Sequence, residues 1–345
     1  MKICLLGDFS GTPDEGMKNI SFTLKQMLEE RHEVITLGLR EAIGFNGVAR
    51  LKSFSPDVIH YLHGPTIRSL LILKALKILL GGKVKIICSA TRPYFSEYSR
   101  WAIPLLKPDL VLTQSQVFEE FFQAKGCNVE FVANGVDCKK FSPVSSEEKI
   151  KFKKHFGLPL DKKIVLHVGH IKENRKLGVF KKIQDLGSYH VVIVGGTSTN
   201  ADVKLKEEFE QAGITIIHKY LEDISVVYKA ADIYVFPIKD AGGNMPTSYN
   251  QVGAIDLPLS IFEAMACNLP IITTKFGALQ RLFSEAPGFS YVDNDNEIIN
   301  KLDDDSWRLN CDTRKSALDI DWPRIMTEIE SRYSEALAAS RPVKG

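Results

Sequence analysis

Short, almost unbroken runs of Val, Ile and Leu recur along the chain, each followed by a longer stretch of mixed apolar and polar residues. Runs without alternation are what strands buried on both faces look like. In the first half they predict strands at Lys2 to Leu6, Glu33 to Leu37, Asp57 to Leu62, Val84 to Ser89, Asp109 to Thr113 and Val129 to Val132. Helical stretches are predicted from Met17 to Glu30, Thr66 to Leu80 and Gln116 to Ala124. The second half repeats the scheme, with strands at Ile164 to Val168, His190 to Val194, Ile214 to His218, Ile233 to Phe236 and Ile271 to Thr274. Strand–helix alternation of this kind implies parallel sheets with right-handed crossovers. The fold class is therefore α/β.

A chain of 345 residues exceeds one ordinary domain. The polar, lysine-rich segment from Val144 to Lys163 separates the two series of strands. The expected division is an N-terminal domain over 1–143 and a C-terminal domain over 144–321. A last helical stretch is expected over 322–338.

Composition narrows the function classes. Hydrophobic residues make up 44%, charged residues 25%, and the formal net charge is +2. Nothing reads as a nucleic-acid arm or an acidic tail, so no nucleic-acid partner is expected. The N-terminus is interrupted too early for a signal peptide, and the most apolar stretch, Ser69 to Leu80, contains Lys74 and Lys77 and is too short to span a bilayer. A cytoplasmic protein is expected. None of the six cysteines forms a Cys-x-x-Cys pair, which favours free thiols over a zinc site.

Three segments carry candidate chemistry. The first runs from Asp256 to Pro270. Pro258 suits a first helical position, Asn268 a left-handed stop, and Pro270 forbids continuation. The first turn would offer backbone N–H groups at Leu259, Ser260 and Ile261 to an anion. Glu263 lies one turn further on and suits ribose hydroxyls better than phosphate. On spacing alone, a connecting helix with a solvated glutamate accounts for the same residues. The second segment, His167 to Lys176, follows a strand and is expected to open a helix. Gly169 permits close backbone approach, and His170 and Arg175 could converge on a diphosphate. A polar surface turn is the plain alternative. The third, Gly7 to Met17, is a glycine-containing loop that lacks the full Gly-x-Gly-x-x-Gly dinucleotide pattern.

Together these segments resemble the family 4 glycosyltransferases, which have the GT-B fold: two Rossmann-like domains whose parallel sheets face each other across a cleft. The resemblance rests on Asn134-Gly135-Val136-Asp137 with Phe141-Ser142-Pro143, on Val168-Gly169-His170 with Arg175, and on Val194-Gly195-Gly196. It rests further on Ala231-Asp232-Ile233-Tyr234-Val235-Phe236-Pro237, on the run from Pro258 to Cys267, and on Trp322 before a last helix, which by the resemblance would return to the first domain. The resemblance implies a retaining, metal-independent transfer of a sugar from a nucleoside-diphosphate sugar to an acceptor hydroxyl, with no cofactor. UDP, GDP and ADP donors are not distinguished. By position, Glu263 would bind the ribose, His170 and Arg175 would neutralise the diphosphate, and amides near Leu259, Ser260 and Ile261 would hold phosphate. His218, Tyr220 and Leu221 would lie along the base, with Gly169 and the first-domain Gly16 facing the donor.

Three departures stand out. Where the family commonly has a second acidic residue this chain has Ile255, with Asp256 one position off. His170 replaces a common Arg. Ser89-Ala90-Thr91-Arg92 replaces a common first-domain His, which leaves His63 and Arg92 as acceptor-side candidates; His60, inside an apolar run, reads as structural. The acceptor could be a glycan, a lipid-linked sugar or a small molecule. The stretch Arg68 to Lys85 mixes Leu and Ile with five cations and suits either an ordinary amphipathic helix or contact with an anionic membrane, which would place the protein at the inner face. A sugar-nucleotide epimerase and a non-catalytic binding relative are the competing readings. Asp303, Asp304 and Asp305 lie in a late polar segment and read as a solvated face.

Overall fold

The structure, a computed structural model, describes residues 1–11, 16–91, 93–196, 201–239 and 256–339. The chain forms two compact units. The first is built on Met1–Asn134 and the chain from Pro323 on; the second begins at Gly135 and includes Pro258–Trp322.

The first unit is a six-stranded parallel sheet. Its strands are β1 (Lys2–Leu6), β2 (Glu33–Leu37), β3 (Val58–Tyr61), β4 (Lys85–Ala90), β5 (Leu110–Thr113) and β6 (Val129–Phe131), in the order β2-β1-β3-β4-β5-β6. The strand residues Ile3 to Leu6, Val58, Ile59 and Ile86 to Cys88 are fully buried, which is why the sequence shows no alternation there. His60 is buried with them and carries no charge at neutral pH. Burial pushes its pKa down to about 3, and its two nitrogens meet the Tyr333 hydroxyl at 2.7 Å and the Ser89 hydroxyl at 2.8 Å. Tyr333 belongs to the terminal helix Trp322–Ala338, which the sequence placed at 322–338. The same helix sends Glu330 to Arg31 and His32, each at 3.0 Å.

The second unit repeats the plan with β7 (Lys163–Val168), β8 (Tyr189–Val194), β9 (Thr215–Ile217), β10 (Ile233–Phe236), β11 (Ile271–Thr273) and β12 (Phe289–Tyr291). Their order is β12-β11-β10-β7-β8-β9, again parallel. The order reverses between β7 and β10, and ligands of open α/β sheets bind beyond the strand ends at such a reversal. Strand β12 was not foreseen; its three residues extend the sheet through pairing with β11.

The Asn134-Gly135-Val136-Asp137 segment has a structural task. The Val136 N–H donates to Ile320 O and the Trp322 N–H donates to Val136 O, closing a parallel bridge between Val136 and Asp321. A Cβ on Gly135 would fall 2.3 Å from the Trp322 ring, so only glycine fits. The Arg314 guanidinium ties the following residues in place through the carbonyls of Cys138, Phe141 and Ala266. All six cysteines are free thiols, five of them buried.

Candidate functional site

The helix predicted after Asp256 spans Leu259–Ala266. Pro258 stands just before it as the cap, with φ −65° and ψ 116°, rather than as its first residue. Asn268 takes the left-handed conformation, φ 58°, and ends it as the sequence suggested. Ile261, Phe262, Ala264, Met265 and Ala266 are buried, so a short helix is held by packing rather than by length. One expectation is corrected here. The Ile261 N–H donates to Pro258 O at 3.1 Å and its side chain is buried, so the amides ahead of the first intrahelical pairing are those of Leu259 and Ser260.

Glu263 is the acidic residue of that helix and is only partly exposed. Its Oε2 accepts a 2.6 Å hydrogen bond from the Tyr228 hydroxyl. Burial pushes the Glu263 carboxyl up to about 7, while the bond from Tyr228 and the charge of Lys140 hold it back. Tyr228 is itself fully buried, stacked on Tyr234 with ring centroids 6.1 Å apart, and its phenol titrates well above its ordinary range through burial. It therefore acts as a fixed donor. With Oε2 committed to Tyr228, the second carboxylate oxygen has two lone pairs with which to accept from hydroxyls.

The Val168–Arg175 segment lies at the end of β7. The Gly169 N–H donates to Val194 O at 3.0 Å, and a Cβ at Gly169 would fall 3.0 Å from His167 Nε2. His167 is fully buried, its Nδ1–H donates to Val235 O at 3.0 Å, and burial lowers its pKa to about 4. The charge of Arg175 contributes to that lowering, which places the guanidinium near the strand end. The expected helix does not start here. Glu173–Arg175 form a single 3-10 turn, Lys176 turns left-handed at φ 52°, and the next helix begins only at Val179. His170, Arg175 and Asp256 are all partly buried.

Tyr234 joins the two segments. Its hydroxyl donates to Val168 O at 3.4 Å and also bonds the Ser260 side chain. The start of the Leu259 helix and the end of β7 are thereby held together at the point where strand order reverses. The sequence reading missed Tyr228 and Tyr234. The available signal was a phenol inside an apolar run, since a buried tyrosine needs a partner for its hydroxyl.

Nearby, His218 Nε2–H donates to Gly196 O at 3.1 Å, and Gly195 packs against the His218 and Ile171 side chains. Tyr220 is exposed and Leu221 partly buried. In the first unit the Asp8 N–H donates to His63 Nε2 at 2.9 Å, so the ring presents its proton on Nδ1 when neutral; burial lowers the His63 pKa. This pair sits where β1 and β3 end, the reversal point of the first sheet. Gly16 is the first residue of the helix Gly16–Glu29. Arg92, Ile255 and residues 12–15 lie outside the described residues. Asp304 caps Ser306, and Asp305 is exposed and pairs with Lys163 at 3.2 Å and with Arg308.

Two parallel six-stranded α/β units of this kind give the chain the GT-B class of fold seen in the solved structures it resembles. Within that class, residues 162–304 match the profile of the family described as glycosyl transferases group 1, so the resemblance read from the motifs holds. The chain is 28% identical over 175 residues to a D-inositol 3-phosphate glycosyltransferase of Corynebacterium jeikeium, covering 46% of this chain and 38% of that one. It is 23% identical over 328 residues to the sulfoquinovosyl transferase SQD2 of Arabidopsis thaliana, covering 84% and 59%. The chain thus spans less than two thirds of these relatives' length. In fold it resembles Anabaena HepE, solved with UDP and glucose, at TM-score 0.72, 15% identity and coverage of 97% and 100%. It also resembles a sucrose-phosphate synthase of Thermosynechococcus elongatus, at TM-score 0.71, 16% identity and coverage of 98% and 100%.

Proposed function

We propose that the protein is a retaining glycosyltransferase that moves a sugar from a nucleoside-diphosphate sugar to an acceptor hydroxyl without a metal. The observation that carries this reading is the Tyr228–Glu263 hydrogen bond one turn inside a helix whose start is tied by Tyr234 to the end of β7. A carboxylate fixed in that position suits the two ribose hydroxyls. The Leu259 and Ser260 amides, with the helix dipole, suit the phosphates.

Cleaving the sugar–oxygen bond builds negative charge on the departing diphosphate. Arg175 and His170 stabilise it in the role a divalent cation would otherwise fill. The acceptor hydroxyl gives its proton to the departing phosphate, so no strong protein base is needed. His218, Tyr220 and Leu221 border the base, Gly169 lets the donor approach the strand end, and Asp256 reaches the donor sugar. On the first unit, the described acceptor-side candidate is His63. The acceptor is a glycan, a lipid-linked sugar or a small molecule, and the reaction takes place in the cytoplasm. The UDP complexes of HepE make UDP the first nucleotide to try.

The test is calorimetry with UDP, GDP and ADP, followed by NMR of the matching nucleotide-sugar with and without acceptor extracts. Binding of one nucleotide, donor stability without acceptor, and a product with unchanged anomeric configuration support the proposal. Product from donor alone points to an epimerase, and binding without transfer to a non-catalytic relative.

A further inference from the structure

Arg314 stands on the short helix Thr313–Asp319, which packs against the helix Leu259–Ala266 that carries Glu263. The last carbonyls of a helix have no partner inside it, and the dipole at that end favours a cation. Arg314 answers both needs, because its Nη1–H donates to Ala266 O. The Arg314 main-chain N–H also donates, at 3.2 Å, to Oδ1 of Asn268, the left-handed residue that ends the helix. The same guanidinium reaches a second piece of chain. It donates to Phe141 O at 3.0 Å and to Cys138 O at 2.9 Å. A rigid planar fork can hold three carbonyls in one geometry, which a single ammonium on a flexible stem cannot.

The segment held in this way lies against Tyr228. The Phe141 ring is buried and meets the Tyr228 ring edge to face, with centroids 5.5 Å apart. Beside it Lys140 pairs at 3.8 Å with Asp223, whose carboxylate accepts from the Ser225 N–H at the start of the helix Ser225–Ala230, on which Tyr228 stands. Tyr228 in turn donates to Glu263. One cation therefore fixes the helix that carries the acceptor of this bond and the ring that backs its donor. Protein interiors are close-packed, so a displaced Phe141 ring displaces the phenol. Hydrogen bonds weaken steeply with misalignment, so the carboxylate would lose its direction as well.

We propose that Arg314 is the positioning residue of the ribose site: by holding Phe141 on Tyr228 and the last turn of the Leu259 helix in place, it aims the Glu263 carboxylate at the ribose hydroxyls. The proposal rests on the reading of Glu263 as the ribose acceptor and adds the side chain that sets its direction. Arg314 acts through Tyr228 and Glu263, at the end of the helix opposite to the Leu259 and Ser260 amides. Its loss should therefore cost ribose recognition rather than the hold on the phosphates.

The experiment is calorimetry of the full chain with UDP and 2′-deoxy-UDP, and likewise with the GDP and ADP pairs. The wild type should prefer the ribonucleotide of its base by about tenfold, the effect of one hydrogen bond to a carboxylate. In Arg314→Met, which keeps an apolar stem without the fork, that preference should shrink to about twofold or less, and in Phe141→Leu, with Arg314 intact, it should shrink likewise. Arg314→Lys separates aim from stability: its cation stays at the helix end, so the melting midpoint should remain near that of the wild type while the preference falls. A tenfold preference retained in Arg314→Lys and Phe141→Leu overturns the proposal and leaves the ribose reading standing, even where Arg314→Met does not fold. A wild type that binds the ribonucleotide and its 2′-deoxy form equally overturns both.

Discussion

The Tyr228 hydroxyl donates to the Glu263 carboxylate across 2.6 Å, and the tyrosine is fully buried. With the carboxyl raised from 4.5 to about 7, the folded chain binds a proton that the unfolded chain has lost between those two values. Stability from this residue therefore falls as pH rises from 4.5 to 7, by about 3 kcal/mol at most. Under the proposed function ribose binding runs the other way, because the ionised form is the better double acceptor. Nucleotide affinity should rise with pH through 7 in the wild type and be flat and about tenfold weaker in Glu263→Gln, since hydrogen bonds to a charged group are worth about 1.5–3 kcal/mol against about 1 for neutral ones. Calorimetric titrations at pH 6 and 8 decide this. Equal affinity of the variant and the wild type at pH 8 would remove Glu263 from the site.

Tyr228→Phe tests the partner. The variant leaves the carboxylate without its fixed donor, so the Glu263 pKa should climb further. Binding should then need a higher pH than in the wild type, and the folded state should lose about 1–3 kcal/mol. Urea denaturation at pH 7 measures the second effect. A variant as stable as the wild type and with an unshifted binding profile would mean that the bond does not matter.

The buried histidine of the first unit sets a pH limit of a different sign. His60 is lowered from 6.5 to about 3, so the unfolded chain takes up a proton on acidification that the folded chain refuses. Its contribution is fully present above pH 6.5 and is lost as pH falls towards 3. His167 in the second unit behaves alike, lowered to about 4. Both units should weaken between pH 6.5 and 5. Tyr333→Phe, which strips His60 of one partner, should cost about 1–3 kcal/mol at pH 7 and loosen the terminal helix. Hydrogen exchange along Trp322–Ala338 reads that loosening, and unchanged protection there would contradict it.

The parts of the molecule written in local pattern were readable before any coordinates. Runs such as Ile164 to His167 are buried on both faces, so their composition declares them. The Leu259 helix was readable because Pro258, Asn268 and Pro270 mark its ends chemically. What escaped was set by distant contacts. Tyr228 and Glu263 meet only after the chain has formed β10 and the helix that follows it. Strand β12, Phe289–Tyr291, has too few residues to show a period, and it exists through its pairing with β11. The helix expected after Gly169 gave way to a turn because Lys176 adopts the left-handed conformation, which no local signal in a lysine announces.

The contact between Gly135 and Trp322 can be tested by a single methyl group. A Cβ at Gly135 would lie 2.3 Å from Cδ2 and 2.6 Å from Cε3 of the ring, well inside van der Waals contact. The indole is buried and cannot swing into solvent without opening the Val136–Asp321 bridge. Gly135→Ala should therefore cost about 1–3 kcal/mol, the usual range for overpacking. In scanning calorimetry that corresponds to a fall of several degrees in the melting temperature. A shift below one degree, about the noise of the measurement, would show that the ring relocates freely.

His170 stands next to Gly169 at the end of β7. Under the proposed mechanism His170 and Arg175 both face the departing diphosphate. Arg175→Ala should lower kcat by about a hundredfold, in the range found for deleting one transition-state charge donor. His170→Ala should lower kcat in the same direction, while His170→Arg, which keeps a donor for phosphate oxygens, should retain most of it. Initial rates at saturating donor measure all three, and a kcat of His170→Ala equal to that of the wild type would place His170 outside the reacting charge.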